Sequence, residues 1–237
     1  MIISINNLSK TFGNNNVLDN INLDINTGEF LTIFGPNGAG KTTLIKIIST
    51  LISPTSGTVV IKGHNVKESP CEVRRVTGVI SHETYLYQDL TARENLLFFG
   101  RMYGMSKDRI EQRINELIEL IGLQYRLDDR VSTFSRGMKQ RLSIARAVLH
   151  DPELLLLDEP YTGLDQHASA VFDKLLFDLN ISDKTQIMIS HDIERGTALA
   201  HRVIILYKGR IVYETVADEI EDINQFRKKY EHYVSEV

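Results

Sequence analysis

The run Gly35–Thr43 reads GPNGAGKTT, and nothing else in the chain constrains the fold as strongly. It fits the pattern G-x-x-x-x-G-K-T. Ahead of it lies Glu29–Phe34, a short β-prone run, and behind it Lys41–Leu51 has the character of a helix. The loop therefore joins a strand to a helix, the setting in which such a loop works. Gly35, Gly38 and Gly40 let the backbone wrap a polyphosphate with its N–H groups pointing inward, and the helix start adds its positive dipole end. Lys41 is expected to reach the β- and γ-phosphates of a nucleotide, and the Thr42 hydroxyl to ligate Mg²⁺. Pro36, Asn37, Ala39 and Thr43 complete the expected binding loop.

A second run, Glu153–Pro160, reads ELLLLDEP. Four consecutive leucines suit a strand buried on both faces of a parallel sheet. Asp158 and Glu159 follow at its carboxyl end, where open α/β sheets place their ligands. Asp158 is expected as a second Mg²⁺ anchor, and Glu159 as the group that orients or deprotonates an attacking water. A surface carboxylate pair closing a strand is the plain alternative, and the phosphate loop weighs against it.

Around these runs the hydrophobic period changes several times. Met1–Phe12 and Val17–Ile25 alternate at period two and read as strands of a half-exposed antiparallel sheet. Thr58–Lys62, Val76–Ile80, Ile187–Ser190 and Val203–Tyr207 are further strand candidates. Thr91–Gly104, Ser106–Gly122 and Gly137–His150 read as helices. In the second, Ser106 is the N-cap, Ile110, Ile114, Leu117, Ile118 and Ile121 form one stripe, and Gly122 is the stop. The expectation is one α/β domain over residues 1–237. Its core is a mostly parallel sheet (1–81 and 151–237) with an antiparallel β-subdomain, and a helical subdomain (82–150) is inserted. Asp218–Tyr233 reads as a charged helix.

At 237 residues with 42% hydrophobic content, the chain can bury a core of this kind. A net charge of −4 gives no footprint for general nucleic-acid binding. Cys71 is the sole cysteine, so an intrachain disulfide is excluded and a reducing compartment is expected. The opening residues lack the pattern of a secretion signal. Crossing a bilayer as a helix takes about 20 apolar residues, far more than the runs Leu154–Leu157 or Val203–Tyr207 supply.

Between the two nucleotide motifs, Phe134–Met138 opens the helix that carries Lys139, Gln140 and Arg141. Ser135 there is an N-cap, and a serine with a glycine at a helix start also makes an anion site. With this run in view, the chain resembles an ATP-binding cassette (ABC) ATPase over nearly its full length. Phe134–Met138 is similar to the family's LSGGQ signature, kept at Ser135 and Gly137 and departing at Arg136 and Met138. Thr162–Asp165 matches the D-loop, with Asp165 in its acidic position. His191 matches the switch histidine, and Phe12 the aromatic that stacks on adenine. The resemblance implies the P-loop fold with its two subdomains, ATP and Mg²⁺ as cofactors, and a homodimer of ATP-binding subunits. In that dimer Ser135 and Gly137 of one copy cap the γ-phosphate held by Lys41 of the other. It further implies a transmembrane permease subunit as partner, at the cytoplasmic face of the cell membrane.

The runs Ser81–Leu96 and Phe134–Ala168 are similar to the ATP-binding subunit of the haem exporter of cytochrome c maturation. Exporters of drugs, peptides or polysaccharides are the competing reading. Cassettes that act on ribosomes or DNA are a further class. Against it stand the single cassette, the absence of long heptads between the motifs, and the charge balance. Tyr85, Leu86 and Tyr87 form an apolar cluster where the helical insertion begins, and are expected to meet the permease. Most cassettes carry a catalytic-loop glutamine where His82 stands here. A neutral imidazole can accept the same hydrogen bond, and Gln88 is the alternative.

Overall fold

The computed structural model describes residues 1–81, 83–162, 164, 169–170, 172–174, 176–177 and 184–235. Two sheets organise them. In the first, β1 (Ile3–Phe12) and β2 (Asn15–Ile25) pair antiparallel from Ile3↔Ile25 to Phe12↔Asn15. With β4 (Ser56–Ile61) and β5 (His64–Asn65) the order is β2-β1-β4-β5. Alternation does the sorting: Ile3, Ile5, Ile21, Leu23 and Ile25 are buried, whereas Asn6, Asn22 and Asp24 face solvent.

The second sheet holds β3 (Phe30–Phe34), β6 (Thr77–Ile80), β7 (Leu154–Asp158), β8 (Thr185–Ile189), β9 (Arg202–Tyr207) and β10 (Arg210–Val216). Its order is β10-β9-β3-β8-β7-β6. Every neighbouring pair is parallel except β10 on β9. The strand β10 is a half-exposed edge, and its mixed residues RIVYETV gave no clear period.

Period two also explains how this sheet holds both sides of the molecule. Leu154 and Leu156 join one core cluster, with Leu31, Ile33, Ile187 and Ile189. Helix α1 (Lys41–Ile48) and the apolar face of the first sheet complete that cluster. Leu155 and Leu157 join the other, with α3 (Ala92–Met102), α4 (Lys107–Leu120) and α5 (Arg136–Val148). Ile110, Ile114, Leu117, Ile118 and Ile121 are all buried there, each worth about 1.5–3 kcal/mol of apolar transfer.

Helix starts follow the expected chemistry. Thr91 and Glu94 form a reciprocal capping box at α3, and Ser106 accepts from Arg109 N at α4. Helix α1 stops at Ile48 rather than running to Leu51, because Thr50 takes a left-handed φ of 63°. Two short helices escaped the sequence patterns, α2 (Pro70–Val76) and α6 (Ile193–Leu199). The last helix, α7 (Ile223–Ser235), buries Phe226 against Phe34, Val203 and Ile205, with the two phenylalanine rings 5.7 Å apart. That packing is the part of the charged tail which its sequence left unread.

Candidate nucleotide site

The phosphate loop lies between the end of β3 and the start of α1, against the β9 strand and the first sheet. Two of its glycines are steric requirements. A Cβ on Gly35 would lie 2.2 Å from the Leu206 carbonyl oxygen. On Gly40, at φ 104°, it would lie 2.7 Å from both Val17 O and Leu18 Cδ2. Ala39 O accepts from Gly209 N at 3.0 Å, which ties the loop to the β9–β10 turn.

Lys41 is only 6% exposed. Its Nζ donates to Gly35 O at 2.7 Å and Pro36 O at 2.9 Å, so the ammonium sits inside the curve of its own loop. Burial pushes its pKa down, and the charges of Glu159 and Asp158 push the other way. Thr42 Oγ1 donates to Asp158 Oδ1 at 3.2 Å, bringing the first turn of α1 to the end of β7. Burial pushes the Asp158 carboxyl up; the Thr42 hydrogen bond opposes that shift and the Glu159 charge adds to it. Two hard oxygen groups side by side, one a carboxylate held against the cost of burial, suit a divalent cation. Mg²⁺ habitually takes one or two protein oxygens and completes its shell with phosphate and water.

Glu159 follows β7 at a φ of 51°, rare for a residue with a side chain. Its N–H donates to Ile189 O at 3.2 Å, so the adjoining strand β8 holds this turn. Such strain, of order 1–3 kcal/mol, concentrates at functional sites. The turn aims the carboxylate at His191, which follows β8: His191 Nε2 lies 2.8 Å from Glu159 Oε1. The His191 side chain is 44% exposed and that of Glu159 38%. Lys41, Thr42, Asp158, Glu159 and His191 are thus gathered at the carboxyl ends of β3, β7 and β8.

Other expected residues lie elsewhere. Ser135 is exposed and accepts from Met138 N at 3.3 Å, as an N-cap does; it and Gly137 start α5, in the helical core cluster rather than that of α1. Phe12 ends β1, 49% exposed, with Lys10 Nζ 4.8 Å from its ring centroid. Asp165 and His82 lie outside the described residues. Gln88 is exposed, and its carbonyl accepts from Ser132 N at 2.8 Å. Leu86 packs into the core, while Tyr85 and Tyr87 are exposed.

The sequence reading missed two cavities. One, of about 230 Å³, borders Glu159 and His191. Its wall includes Tyr161, whose hydroxyl donates to Asp173 at 2.6 Å and whose ring carries the Arg195 guanidinium at 4.2 Å. The other, about 510 Å³, is a groove lined by Leu51, Tyr85, Tyr87, Phe99, Arg74 and Arg146. Arg146 gave a signal that went unused: a charge at i+4 from Leu142, on the stripe that should be apolar.

A glycine loop that curves around a buried lysine, set before a threonine–aspartate pair and a strained glutamate, defines a P-loop nucleotide hydrolase. A sequence profile of the ABC transporter family matches residues 18–162, and the chain belongs to that family. It is similar to the ABC transporter ATP-binding protein NatA of Bacillus subtilis (strain 168), 38% identical over 211 residues, covering 86% of each chain. It is also similar to the Nod factor export ATP-binding protein I of Cupriavidus metallidurans, 35% identical, covering 93% of this chain and 73% of that one. Among solved structures, the dimeric post-hydrolysis state of the ATP-binding cassette MJ0796 bound to ADP and Pi superposes with a TM-score of 0.83. That match is 30% identical and covers 91% of this chain and 99% of the other. The chain is the ATP-binding subunit of an ABC transporter, an ATPase that uses ATP with Mg²⁺.

Proposed function

We propose that this chain is the peripheral motor of an ABC exporter, in which two copies and a transmembrane permease subunit form the working unit. The observation that carries this reading is the pairing of Glu159 with His191 at 2.8 Å, beside the Lys41 loop. In the hydrolytic step, the Glu159 carboxylate accepts a proton from water as the water oxygen attacks the γ-phosphorus. The bond from that phosphorus to the β–γ bridging oxygen breaks, and ADP and inorganic phosphate leave. His191 holds the carboxylate. Lys41, already bonded to carbonyls, has donors to turn toward the β- and γ-phosphates. Thr42 and Asp158 would hold Mg²⁺, which when bound neutralises charge on the polyphosphate. Phe12, exposed at the end of β1, supplies a face for adenine.

Ser135 and Gly137, and Asp165 of the D-loop, act across a head-to-tail pairing of two copies. Ser135 and Gly137 there offer a helix start to the partner's γ-phosphate. Gel filtration of Glu159→Gln tests this: a dimer with ATP and a monomer without it is expected. A monomer under both conditions overturns the pairing.

Among the described residues no helix is long and apolar enough to cross a membrane. The motor reading therefore seats the chain on the cytoplasmic face, held by its permease at the groove beside Tyr85 and Tyr87. Tyr87→Glu is expected to cut permease-stimulated ATPase while the basal rate stays. His82 is proposed to do the work of the usual glutamine, so His82→Ala should impair stimulation, His82→Gln preserve it and Gln88→Ala do little.

Export as the direction draws on the similarity to the Nod factor export protein. For the cargo, the runs Ser81–Leu96 and Phe134–Ala168 favour haem, through their resemblance to the exporter of cytochrome c maturation. The Nod factor protein's name speaks for a different cargo. Identification of the membrane protein that copurifies with the chain decides between them.

A further inference from the structure

Tyr161 stands two residues past the strained Glu159, and Arg195 four past His191. Both side chains line the cavity of about 230 Å³ that Glu159 and His191 border. The Arg195 guanidinium carbon lies 4.2 Å from the Tyr161 ring centroid, well inside the range of about 6 Å over which a ring face attracts a cation. A second cross-link thus runs beside the Glu159–His191 hydrogen bond, between the same two segments.

Each end of this cross-link is fixed by its own neighbours. The Tyr161 hydroxyl donates to Asp173 Oδ1 at 2.6 Å, and the ring meets the buried Phe172 edge-on at 5.3 Å. Burial, and after it the Asp173 hydrogen bond, push the Tyr161 pKa up, so the hydroxyl keeps its proton. Arg195 stands in the first turn of α6. Its N–H donates to Asp192 Oδ1 at 3.0 Å, and Asp192 directly follows His191. The next residue, Gly196, seats α6 on β3. Its carbonyl accepts from the buried Thr32 Oγ1 at 2.8 Å, and a Cβ there would lie 2.6 Å from Phe34 Cζ. The guanidinium therefore reaches Tyr161 from a rigid base.

Glu159 needs such support. A left-handed φ at a residue with a side chain persists only where the surroundings over-determine it. Its own N–H bond to Ile189 O, at 3.2 Å, is a slight hold for that turn. Tyr161 adds a hold at the hydroxyl, one at the ring edge and one at the ring face. We propose that Tyr161 and Arg195 are positioning residues for hydrolysis: their stack clamps the Glu159 turn to the His191 segment and keeps the carboxylate aimed at the attacking water. The pair acts through Glu159. A planar guanidinium suits this work, since it lies flat on a ring as an ammonium does not. This rests on the reading of Glu159 as the base.

The test measures kcat and equilibrium ATP affinity of the purified chain, in wild-type and Glu159→Gln backgrounds. Arg195→Gln removes the charge and keeps most of the stem. It is expected to lower kcat about tenfold in the wild-type background and to leave ATP affinity within about twofold. Arg195→Lys, which keeps a cation near the ring, is expected to recover part of the loss. Beside Glu159→Gln no base is left to aim, so there Arg195→Gln is expected to change the single-turnover rate by less than about twofold. An unchanged kcat in Arg195→Gln overturns the proposal. So does a loss of equal size in both backgrounds, or a loss of ATP affinity as large as the loss of kcat. Should Arg195→Gln fail to fold, Tyr161→Phe, which frees the ring from Asp173, takes over the comparison. A loss of kcat confined to the wild-type background supports the proposal, and no loss or an equal loss in both overturns it. If Glu159→Gln turns over as fast as the wild type, the reading of Glu159 as the base has failed, and this inference with it. If Glu159→Gln is slow and Arg195→Gln is not, this inference alone has failed.

Discussion

His191 Nε2 lies 2.8 Å from Glu159 Oε1, although 32 residues separate the two in the chain. Each sits just past the end of a strand, and β7 and β8 are direct neighbours in register, Asp158 opposite Ile189. Removing either partner should therefore have unequal effects. Glu159→Gln keeps the shape and the hydrogen bond to His191 but cannot take a proton. It should lower kcat by about 10²- to 10⁴-fold with little change in ATP affinity. His191→Ala leaves the base present but unheld, so a smaller loss is expected, with His191→Gln recovering part of it. Steady-state turnover and equilibrium nucleotide binding on the same preparations check the order.

Lys41 and Gly40 should fail in different ways. Lys41→Ala removes the ammonium proposed to turn toward the phosphates and should weaken ATP binding itself, seen in a nucleotide titration. Gly40→Ala forces a Cβ against Val17 O and Leu18 Cδ2 at a φ of 104°. The folded protein should lose about 1–3 kcal/mol even without nucleotide. Denaturant unfolding of the nucleotide-free proteins separates the two.

Asp158→Asn should move stability and function in opposite directions. Burial keeps the Asp158 carboxyl above its usual range, so the charge is a burden to the folded chain without ligand. An amide can still accept from Thr42 Oγ1. The Tm of the nucleotide-free variant is expected to rise. The Mg²⁺ concentration needed for half-maximal ATPase is expected to increase about tenfold or more.

His150 gives stability a pH dependence that does not involve the nucleotide site. Burial is the main reason its pKa falls from 6.5 to about 4, and its Nε2 lies 3.2 Å from Thr77 O. The unfolded chain takes up a proton near pH 6.5, and the folded chain does so only near pH 4. Between those values the unfolded state binds more protons, so stability rises with pH across the window. The group's contribution is present above pH 6.5 and falls by up to about 3 kcal/mol as pH drops toward 4. His150→Phe keeps a ring to stack on Tyr103 and should flatten this part of the profile, measured by urea unfolding at several pH values.

What could be read from the sequence was whatever local rules determine. GPNGAGKTT carried its own steric logic, and the four leucines of β7 announced a strand buried on both faces. Serine and threonine caps marked helix starts within a residue or two. Long-range pairing hid the rest. That Thr42 would meet Asp158, or Glu159 meet His191, depends on strand order, which residue spacing alone does not give. The edge strand β10 and α2 were missed because half-exposed, mixed-polarity segments have weak periods. The two cavities were missed for another reason: Tyr161, Arg195, Tyr103 and Arg146 come together only through packing of side chains from separate elements. The helix α7 looked like a solvated tail, since one buried Phe226 among many charges is a faint signal.

The alternation of Leu154 to Leu157 between two cores has a mechanical consequence. The α1 side and the α3–α5 side are not joined merely by a flexible tether; they grip opposite faces of one four-leucine rod, tooth by tooth. A slide of one side along the rod by a single residue would lift its apolar side chains off the leucine teeth of that face. Glu159 follows the rod directly, so its place is set by the one strand that both cores clamp.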